Sequence, residues 1–267
     1  MGGFLLFKHF TISVIIVIYS EGNNMKGRKK LLVSFISVLC FGLLAPSITS
    51  CDNGTVGLEF SLLEDGSAYS VKASKFSFQT KMSIPETYKG KPVTVIEKLA
   101  FHQINKKVTK LKEIEIPSSK TTIGENAFNG SGLTSVTIPD SVTSIGDSAF
   151  WGCSSLTNIS LGNGLNSISY GTFAACTSLE SITIPDGVTS ISEEAFYGCS
   201  SLTSIVIPDS VTSIYQEAFS ECSSLTTVYY TGTEEQWNSI SIQLSNYSGG
   251  DTNEELTNAN IIYNYEG

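Results

Sequence analysis

A repeat of 23 residues dominates the second half of the sequence and limits what the chain can fold into. Four classes of apolar residue recur in register over four consecutive units. The recurring residues are Ile145, Ile168, Ile191 and Ile214; Phe150, Phe173, Phe196 and Phe219; Cys153, Cys176, Cys199 and Cys222; and Leu156, Leu179, Leu202 and Leu225. A unit of this size cannot bury both of its faces alone. The period therefore predicts a solenoid whose stacked turns share one core.

Each unit contains the signals for one turn of such a solenoid. Ile205 and Ile207 are two residues apart in a β-rich run, so they point to the same side of a short strand. Pro208 has no amide hydrogen and ends that strand in a turn. Ile214 returns to the interior along a second extended piece, and the residues around Phe219 suit a tight helical turn that drives the ring inward. The sequence thus predicts a β-rich α/β solenoid with short parallel strands and short helical turns.

The repeat extends upstream in a degraded form. Phe101 and Phe128 occupy the equivalent position there, which brings the phenylalanine-bearing units to about six. On this basis we divide the exported region into an N-terminal β cap at residues 56–92, a solenoid at 93–230 and a C-terminal cap at 231–267.

Both ends of the array contain hairpin-like or helical capping signals, as a solenoid requires. An Asp-Gly pair joins strand-like runs at residues 57–63 and 69–78, which predicts a hairpin over the first turn. At the other end, residues 233–237 resemble a capped helical turn that presents Trp237 to the core. Residues 261–265 can add a closing strand.

Residues 25–50 have the organisation of a secretory signal. A basic start precedes an apolar run from Leu31 to Leu44 and an exit of small residues. The run is too short to span a membrane comfortably as a helix. The exit sequence Ile-Thr-Ser-Cys resembles the bacterial lipobox, which implies that Cys51 is diacylated and becomes the mature N-terminus. The alternative is an ordinary signal-peptidase site near an unrelated cysteine.

Residues 1–24 contain a second apolar run ahead of Met25. Two export signals in tandem serve little mechanical purpose, so we expect translation to start at Met25. A membrane-spanning N-terminus is the alternative. After cleavage, residues 51–55 would form a short tether between the lipid anchor and the solenoid. Several acyl chains hold a protein on a membrane stably, at roughly 0.8 kcal/mol per buried methylene.

The charges are unevenly distributed along the chain. Residues 52–120 contain eleven lysines and eight acidic residues, whereas residues 121–267 contain sixteen acidic residues and neither lysine nor arginine. Nucleic acid and anionic membrane are poor partners for such a segment, because both require cationic contacts. Cationic partners and divalent ions remain compatible with it, and the acidic residues also suit a surface that is merely soluble.

Residues for catalysis or metal binding are not evident in the sequence. His102 is the only histidine after Cys51, so there is no second histidine for a metal pair. A Gly-x-Ser-x-Gly nucleophile elbow is also absent. We therefore predict no catalytic residue, no cofactor and no metal.

The four regularly spaced cysteines are predicted to form a structural ladder of buried free thiols. Equivalent positions in stacked turns lie near enough for a disulfide by distance, but parallel side chains make poor bridge geometry. Disulfide-bridged pairs and a bound metal are the alternatives.

Asp140, Asp186 and Asp209 each follow a strand and form an acidic row, for which turn capping is favoured over calcium binding.

The repeat resembles the BspA-like class of bacterial leucine-rich-repeat surface proteins. The pattern Leu-x-x-Ile-x-Ile-Pro-Asp-x-Val-x-x-Ile-x-x-x-Ala-Phe-x-x-Cys is nearly verbatim at residues 179–199. The segments at 84–96 and 228–237 look like that family's usual ends, so the resemblance covers about residues 56–266. It implies a surface-displayed adhesin that binds host matrix proteins or other cells. Residues 160–164 depart from the pattern where Ile-Pro-Asp is expected, which predicts a looser turn.

The outward side of the first strand in each unit is the candidate partner-binding face, since repeat proteins commonly bind with this surface. Most of its side chains carry hydroxyl groups. The candidate residues are Thr134, Thr137, Thr157, Ser160, Glu180, Thr183, Thr203, Val206, Thr226 and Tyr229. The same pattern also suits a soluble β surface without a partner.

We predict a lipid-anchored protein of the outer cell surface that binds proteins. An envelope scaffold without a host partner is the alternative, and an enzyme is disfavoured.

Overall fold

The computed structural model describes residues 57–74, 79–102, 111–119, 121–243 and 253–267. The N-terminal extension, the signal segment, the tether and the lipidation candidate Cys51 lie outside the described residues. So do residues 103–110, where the sequence predicts an insertion, and most of 245–255, which its polar composition predicts as a loop. Within the described ranges, no helix is long and apolar enough to cross a membrane.

The described residues consist mainly of short strands joined by turns. The strands are β1 (Leu58–Leu62), β2 (Tyr69–Ala73), β3 (Lys81–Ser83), β4 (Thr87–Tyr88), β5 (Lys91–Ile96), β6 (Glu113–Glu115), β7 (Thr122–Ile123), β8 (Ser135–Thr137), β9 (Ser144–Ile145), β10 (Asn158–Ser160), β11 (Ser167–Ile168), β12 (Ser181–Thr183), β13 (Ser190–Ile191), β14 (Ser204–Ile207), β15 (Ser213–Ile214), β16 (Thr227–Tyr230), β17 (Ser241–Ile242) and β18 (Asn260–Ile262). The helices are α1 (Glu234–Ser239) and α2 (Glu254–Asn258).

Each turn of the repeat contributes two strands, and the equivalent strands of successive turns pair in parallel. The first strands form the sheets β3-β6-β8-β10 and β12-β14-β16-β18. The second strands form β5-β7-β9, which continues into β2 and β1, and β11-β13-β15-β17. The register keeps equivalent residues side by side, so that Ile182 lies beside Ile205 and Ile205 beside Val228. The predicted solenoid of about six stacked turns with short parallel strands is confirmed.

A column of six phenylalanine rings runs through the interior. The rings of Phe101, Phe128, Phe150, Phe173, Phe196 and Phe219 are fully buried. Successive ring centroids are 5.0 to 5.7 Å apart, and the planes of neighbouring rings differ by at most 21°. Burying one large apolar side chain contributes roughly 1.5–3 kcal/mol. An inner ring is covered by the rings of both neighbouring turns, so each turn depends on the next for its stability.

The chain around each buried ring is not the helical turn that the sequence suggested. Residues two before and two after the ring have left-handed backbones, with φ of 58° at Glu217 and 63° at Glu221. These left-handed residues direct backbone amides near the ring toward the next turn. For example, the Phe196 N–H donates to the Ala218 carbonyl at 2.8 Å. A helical turn would use these amides within its own backbone. The segment around each ring therefore forms successive tight turns and not a helical turn, because every second amide is needed between turns, and the helices of the described residues are α1 and α2.

Both strand ladders are interrupted at the turn that contains β10 and β11. Strand β10 pairs only with the preceding β8, and β11 pairs only with the following β13. At this step the Ser169 hydroxyl donates to the Ile145 carbonyl at 2.7 Å. One turn later, the equivalent bond is made by the Ser192 backbone N–H to Ile168 at 2.9 Å. The ring spacing also reaches its maximum of 5.7 Å at this step. This turn therefore links two regularly hydrogen-bonded blocks.

The segment at residues 160–164 connects β10 to β11 and lies close against the preceding turn. A Cβ atom on Gly162 would be 2.4 Å from the Pro139 carbonyl carbon, and one on Gly164 would be 2.2 Å from the Asp140 carbonyl oxygen. The Asp140 carboxylate also accepts the Asn163 N–H at 2.8 Å. The segment for which a looser turn was expected therefore packs closely against the preceding turn, because two residues without side chains let the backbones approach.

The N-terminal end is covered by the predicted hairpin. Strands β1 and β2 pair in antiparallel fashion from Leu58 with Ala73 to Leu62 with Tyr69. The Asp65 carboxylate accepts the Ser67 N–H at 2.9 Å and stabilises the connecting turn. Strand β2 ends at Ala73, earlier than the run of the sequence suggested. The parallel pairing of β2 with β5 connects the hairpin to the stack.

The C-terminal end contains the predicted helical turn and closing strand. Thr233 caps α1, its hydroxyl accepts the Gln236 N–H, and the Gln236 side chain accepts the Thr233 N–H in return. The buried Trp237 ring packs edge-on against Tyr230, with centroids 5.2 Å apart. Strand β18 pairs in parallel with β16 and extends the first-strand sheet by one strand.

Side chains near α2 take the place of the carbonyls that a further turn would supply. The Phe219 N–H bonds to Asn253 Oδ1 at 2.9 Å. Asn253 Nδ2 donates to two backbone carbonyls at 2.9 and 3.0 Å, one of them that of Tyr215. Glu255 Oε1 accepts the Glu221 N–H at 3.0 Å. Asn253 is fully buried, so it satisfies backbone groups that water cannot reach.

Replacing Asn253 with alanine is expected to lower the free energy of unfolding by about 3 kcal/mol, because a buried amide and two carbonyls lose their partners. Denaturant unfolding of the full-length protein measures this change. Asn258→Ala is the matched control, since Asn258 is exposed in α2, and it should change stability by less than about 0.5 kcal/mol. Equal effects of the two variants would contradict the capping role of Asn253.

Candidate binding face

The ten candidate partner-binding residues lie on one surface of the solenoid. It consists of the outward side chains of the first strands and of the residue before each strand, and we call it the outer strand face. In β12, Ile182 is buried while Ser181 and Thr183 are exposed. The register places Thr183 beside Val206 and Val206 beside Tyr229. Equivalent positions of successive turns thus form straight rows across the face.

The row formed by the residue before each strand takes part in holding the turns together. Its threonine hydroxyls donate to carbonyls one turn earlier. The bonds run from Thr134 to Lys112 at 3.2 Å, from Thr157 to Thr134 at 3.1 Å, from Thr203 to Glu180 at 3.0 Å and from Thr226 to Thr203 at 3.3 Å. Four of the candidate residues therefore supplement the backbone ladder, and Glu180 in the same row presents an exposed side chain.

A groove of about 660 Å³ lies across the middle of the outer strand face. Hydroxyl, amide and carboxylate side chains line it, including those of Asn158, Ser160, Thr183 and Asp186. The groove spans the step at which β10 and β12 do not pair. One turn later, the Thr203 N–H donates to the Glu180 carbonyl of the preceding turn. Among the described residues, no such backbone bond joins β10 to β12. The groove thus lies where the backbone ladder of the first strands is interrupted.

Aromatic and aliphatic side chains form the C-terminal end of the groove. The rings of Tyr229 and Tyr265 lie with centroids 4.6 Å apart and are tilted by 41°. Val206 lines the groove beside them, and the neighbouring Ile262 is 38% exposed. Tyr265 and Ile262 were not among the predicted site residues. The 23-residue spacing that identified the other positions ends at β16, so only the pairing of β18 with β16 and the bond from the Tyr265 N–H to the Tyr230 carbonyl reveal them.

Ion pairs occupy the opposite end of the face. The Lys81 ammonium lies 3.3 Å from the Glu113 carboxylate and 3.2 Å from the Glu115 carboxylate. The hydrogen bonds that Lys81 donates to Glu115 and Glu113 raise the pKa of the Lys81 ammonium. Hydrogen bonds from the Ser83 hydroxyl and from Lys81 lower the pKa of the Glu115 carboxyl. All three side chains are largely exposed, so the pairs contribute little stability. The face therefore changes from charged at its N-terminal end, through neutral polar, to aromatic at its C-terminal end.

The four cysteines of the repeat are free thiols and fully buried. Each donates to the carbonyl of the phenylalanine one turn earlier, at 3.1 to 3.2 Å. Ser131 occupies the same position one turn before Cys153, with Oγ and Sγ 3.3 Å apart. The neighbouring Cys153 thiol and burial raise the pKa of Cys176 well above its ordinary value. The Cys176 thiol therefore stays protonated at neutral pH and lacks the thiolate needed for nucleophilic chemistry.

Other titratable groups on the described surface do not form a metal-binding cluster. Burial lowers the pKa of the half-buried His102, so its imidazole is mostly neutral near pH 7. In the part of the chain that the structure describes, no three His, Cys, Asp or Glu side chains are placed to hold a metal ion. Asp140 instead accepts a backbone amide, while Asp186 and Asp209 are exposed at the turns that follow their strands.

Comparison with known proteins identifies the repeat. A family model described as the BspA-type leucine-rich repeat region matches six copies over residues 71–183, 94–226 and 146–247. A leucine-rich repeat protein from Eubacterium ventriosum has a TM-score of 0.51 and 23% identity over 61% of this chain and 46% of its own. A T. pallidum leucine-rich repeat protein has a TM-score of 0.47 and 26% identity, and the match covers 65% of this chain and 69% of that protein. A leucine-rich cell surface protein from Faecalibacterium prausnitzii has a TM-score of 0.39 and 19% identity, and the match covers 71% of this chain and 97% of that protein. No curated protein matched the chain.

The four repeat cysteines are expected to resist alkylation in the folded protein and to react fully after unfolding, because all four are fully buried and the native core excludes the reagent. Iodoacetamide labelling at neutral pH, read peptide by peptide in a mass spectrometer, tests this. The same protein in guanidinium chloride is the control. Rapid labelling of Cys176 or Cys199 under native conditions would contradict the burial of the ladder.

Proposed function

Since this chain belongs to the BspA-type leucine-rich-repeat family, we propose that it is an exported, lipid-anchored adhesin that binds protein partners on host matrix or other cells through its outer strand face. Export and anchoring are supported by the basic start, the apolar run and the lipobox-like exit of residues 25–51. Acylation of Cys51 would hold the solenoid at the cell envelope, and the proposed location is the outer surface.

The observation that carries the binding role is the difference between the two kinds of polar side chain on the outer strand face. The threonine hydroxyls before the strands donate to the neighbouring turn. Among the described residues, the side chains of Asn158, Ser160 and Thr183 form no hydrogen bond with another part of the protein. These groups face a groove and remain available to a partner.

The regular backbone makes this face suitable for recognition. Parallel ladders fix the strands on either side of the groove, so binding would cost little ordering of the main chain. Tyr229, Tyr265 and Val206 are the residues that can act as anchors, since aromatic side chains are enriched among energetically important contacts. Because these anchors are few, we expect weak binding at a single site, strengthened when many anchored copies meet one surface.

The charge of the chain restricts the partner. Residues 121–267 contain no lysine or arginine, so the groove region cannot neutralise phosphate or anionic lipid. The exposed carboxylates of Glu180 and Asp186 disfavour acidic partners further. The partner surface is therefore neutral or cationic where it meets the groove.

Protease treatment of intact cells tests the proposed location. The band of this protein in a blot should disappear while a periplasmic control protein persists, because a solenoid on the outer surface is accessible to the enzyme. Lysed cells treated in the same way show whether the folded solenoid can be cleaved at all. Protection on intact cells together with cleavage in lysates would reject the adhesin and favour an envelope scaffold.

The double substitution Val206→Lys and Tyr229→Lys should reduce adhesion to immobilised extracellular-matrix proteins by about tenfold or more, because it removes two anchors and places charge in the groove. Adhesion of cells that display the full-length protein is the measurement. The matched control is Tyr170→Lys with Tyr215→Lys. These tyrosines are 38% and 40% exposed and lie outside the outer strand face. Unchanged adhesion of the first variant would show that this face is not the binding surface.

A further inference from the structure

The groove on the outer strand face has a chemical composition that differs from an ordinary protein-binding patch. Polar side chains form its middle, and a pair of tyrosines forms one end. We propose that this groove binds a neutral glycan chain on the partner. This inference rests on the proposed function, because it names the chemistry that the adhesive face recognises.

Hydrogen-bonding groups are concentrated where the strand ladders are interrupted. The Thr203 N–H bonds to the Glu180 carbonyl at 2.9 Å, but the Glu180 N–H has no such bond to Thr157 one turn earlier. Asn158 and Ser181 line the groove on the two sides of this step. A sugar offers several hydroxyl groups that both donate and accept, so it can satisfy backbone and side-chain groups of either kind.

The tyrosine pair supplies the apolar part of such a site. Tyr229 and Tyr265 are half-buried, with ring centroids 4.6 Å apart, and both line the groove. One face of a hexose ring presents C–H groups, which pack favourably against the negative face of an aromatic ring. The combination of an aromatic platform with convergent hydroxyl, amide and carboxylate groups is suited to a sugar, which has an apolar face and a polar rim.

The charges near the groove distinguish neutral glycans from acidic ones. Asp186 lines it, Glu180 is exposed beside it, and residues 121–267 contain no cation that could balance a sulfate or sialic acid. An acidic sugar would therefore meet uncompensated like charge. A carboxylate such as that of Asp186 instead accepts hydrogen bonds from neutral sugar hydroxyls.

The spacing of the turns favours an extended chain of sugars over a single unit. Neighbouring strands lie about 4.8 Å apart, which is close to the length of one hexose in a linear polysaccharide. Thr183, Val206 and Tyr229 lie side by side on three paired strands, and Ser160 occupies the equivalent position in the turn before them. Successive sugars could therefore meet equivalent positions, with the tyrosine pair contacting one terminal unit.

An array of neutral tetra- to hexasaccharides, with sulfated and sialylated counterparts, tests this site with the full-length protein as probe. We expect binding to at least one neutral series and weaker binding to its acidic counterparts. Tyr265→Ala and Asp186→Asn should each weaken that binding by about tenfold, whereas Tyr215→Ala, which removes an exposed tyrosine elsewhere, should leave it unchanged. Thermal unfolding of each variant shows whether the solenoid remains folded.

Failure of this inference is distinguishable from failure of the proposed function. If no neutral glycan binds, or if the folded groove variants bind as the unsubstituted protein does, the glycan site is rejected. If matrix adhesion still falls in the Val206→Lys and Tyr229→Lys variant, the face binds a protein surface without sugar. If neither assay responds to substitutions in the face, both proposals are rejected.

Discussion

The backbone hydrogen bonds that each turn donates to the next are the interaction on which the rest of this structure depends. The strands are only two to six residues long, so none is stable without its neighbour. Even the turns around the phenylalanines supply amides to the ladder, and the left-handed residues on either side of each ring make this possible. A helical turn, although compatible with the local sequence, would have withdrawn these donors from the stack.

The same requirement explains how the stack ends. A last turn has amides without a following carbonyl, and buried amides need partners. Asn253 and Glu255 supply side-chain oxygens to the Phe219 and Glu221 amides. Within the core, the cysteine thiols serve a comparable purpose, because each donates to a phenylalanine carbonyl one turn away. Polar groups of side chains thus complete a network that the main chain alone leaves open.

The groove lies at the place where this network is least regular. Between β10 and β12 the ladder is absent, and residues 160–164 on the same turn depart from the repeat. The Ser169 hydroxyl and the close packing of Gly162 and Gly164 hold the turn in place despite the interruption. The missing strand pairing therefore leaves polar groups exposed on the outer strand face, while close backbone contacts still hold this turn against the preceding one.

The sequence by itself determined the solenoid, its number of turns, its buried columns and both caps. The reason is that a period of 23 residues assigns one Ile, one Phe and one Cys to the same position in each regular turn, while an Asp-Gly pair and a capped helical turn mark the two ends. Only the tertiary structure decided which surface groups are free, because the bond between Thr203 and Glu180 depends on the spacing and register of two turns. It also placed Tyr265 beside Tyr229. Tyr265 lies beyond the periodic region, so strand pairing rather than spacing brings the two rings together.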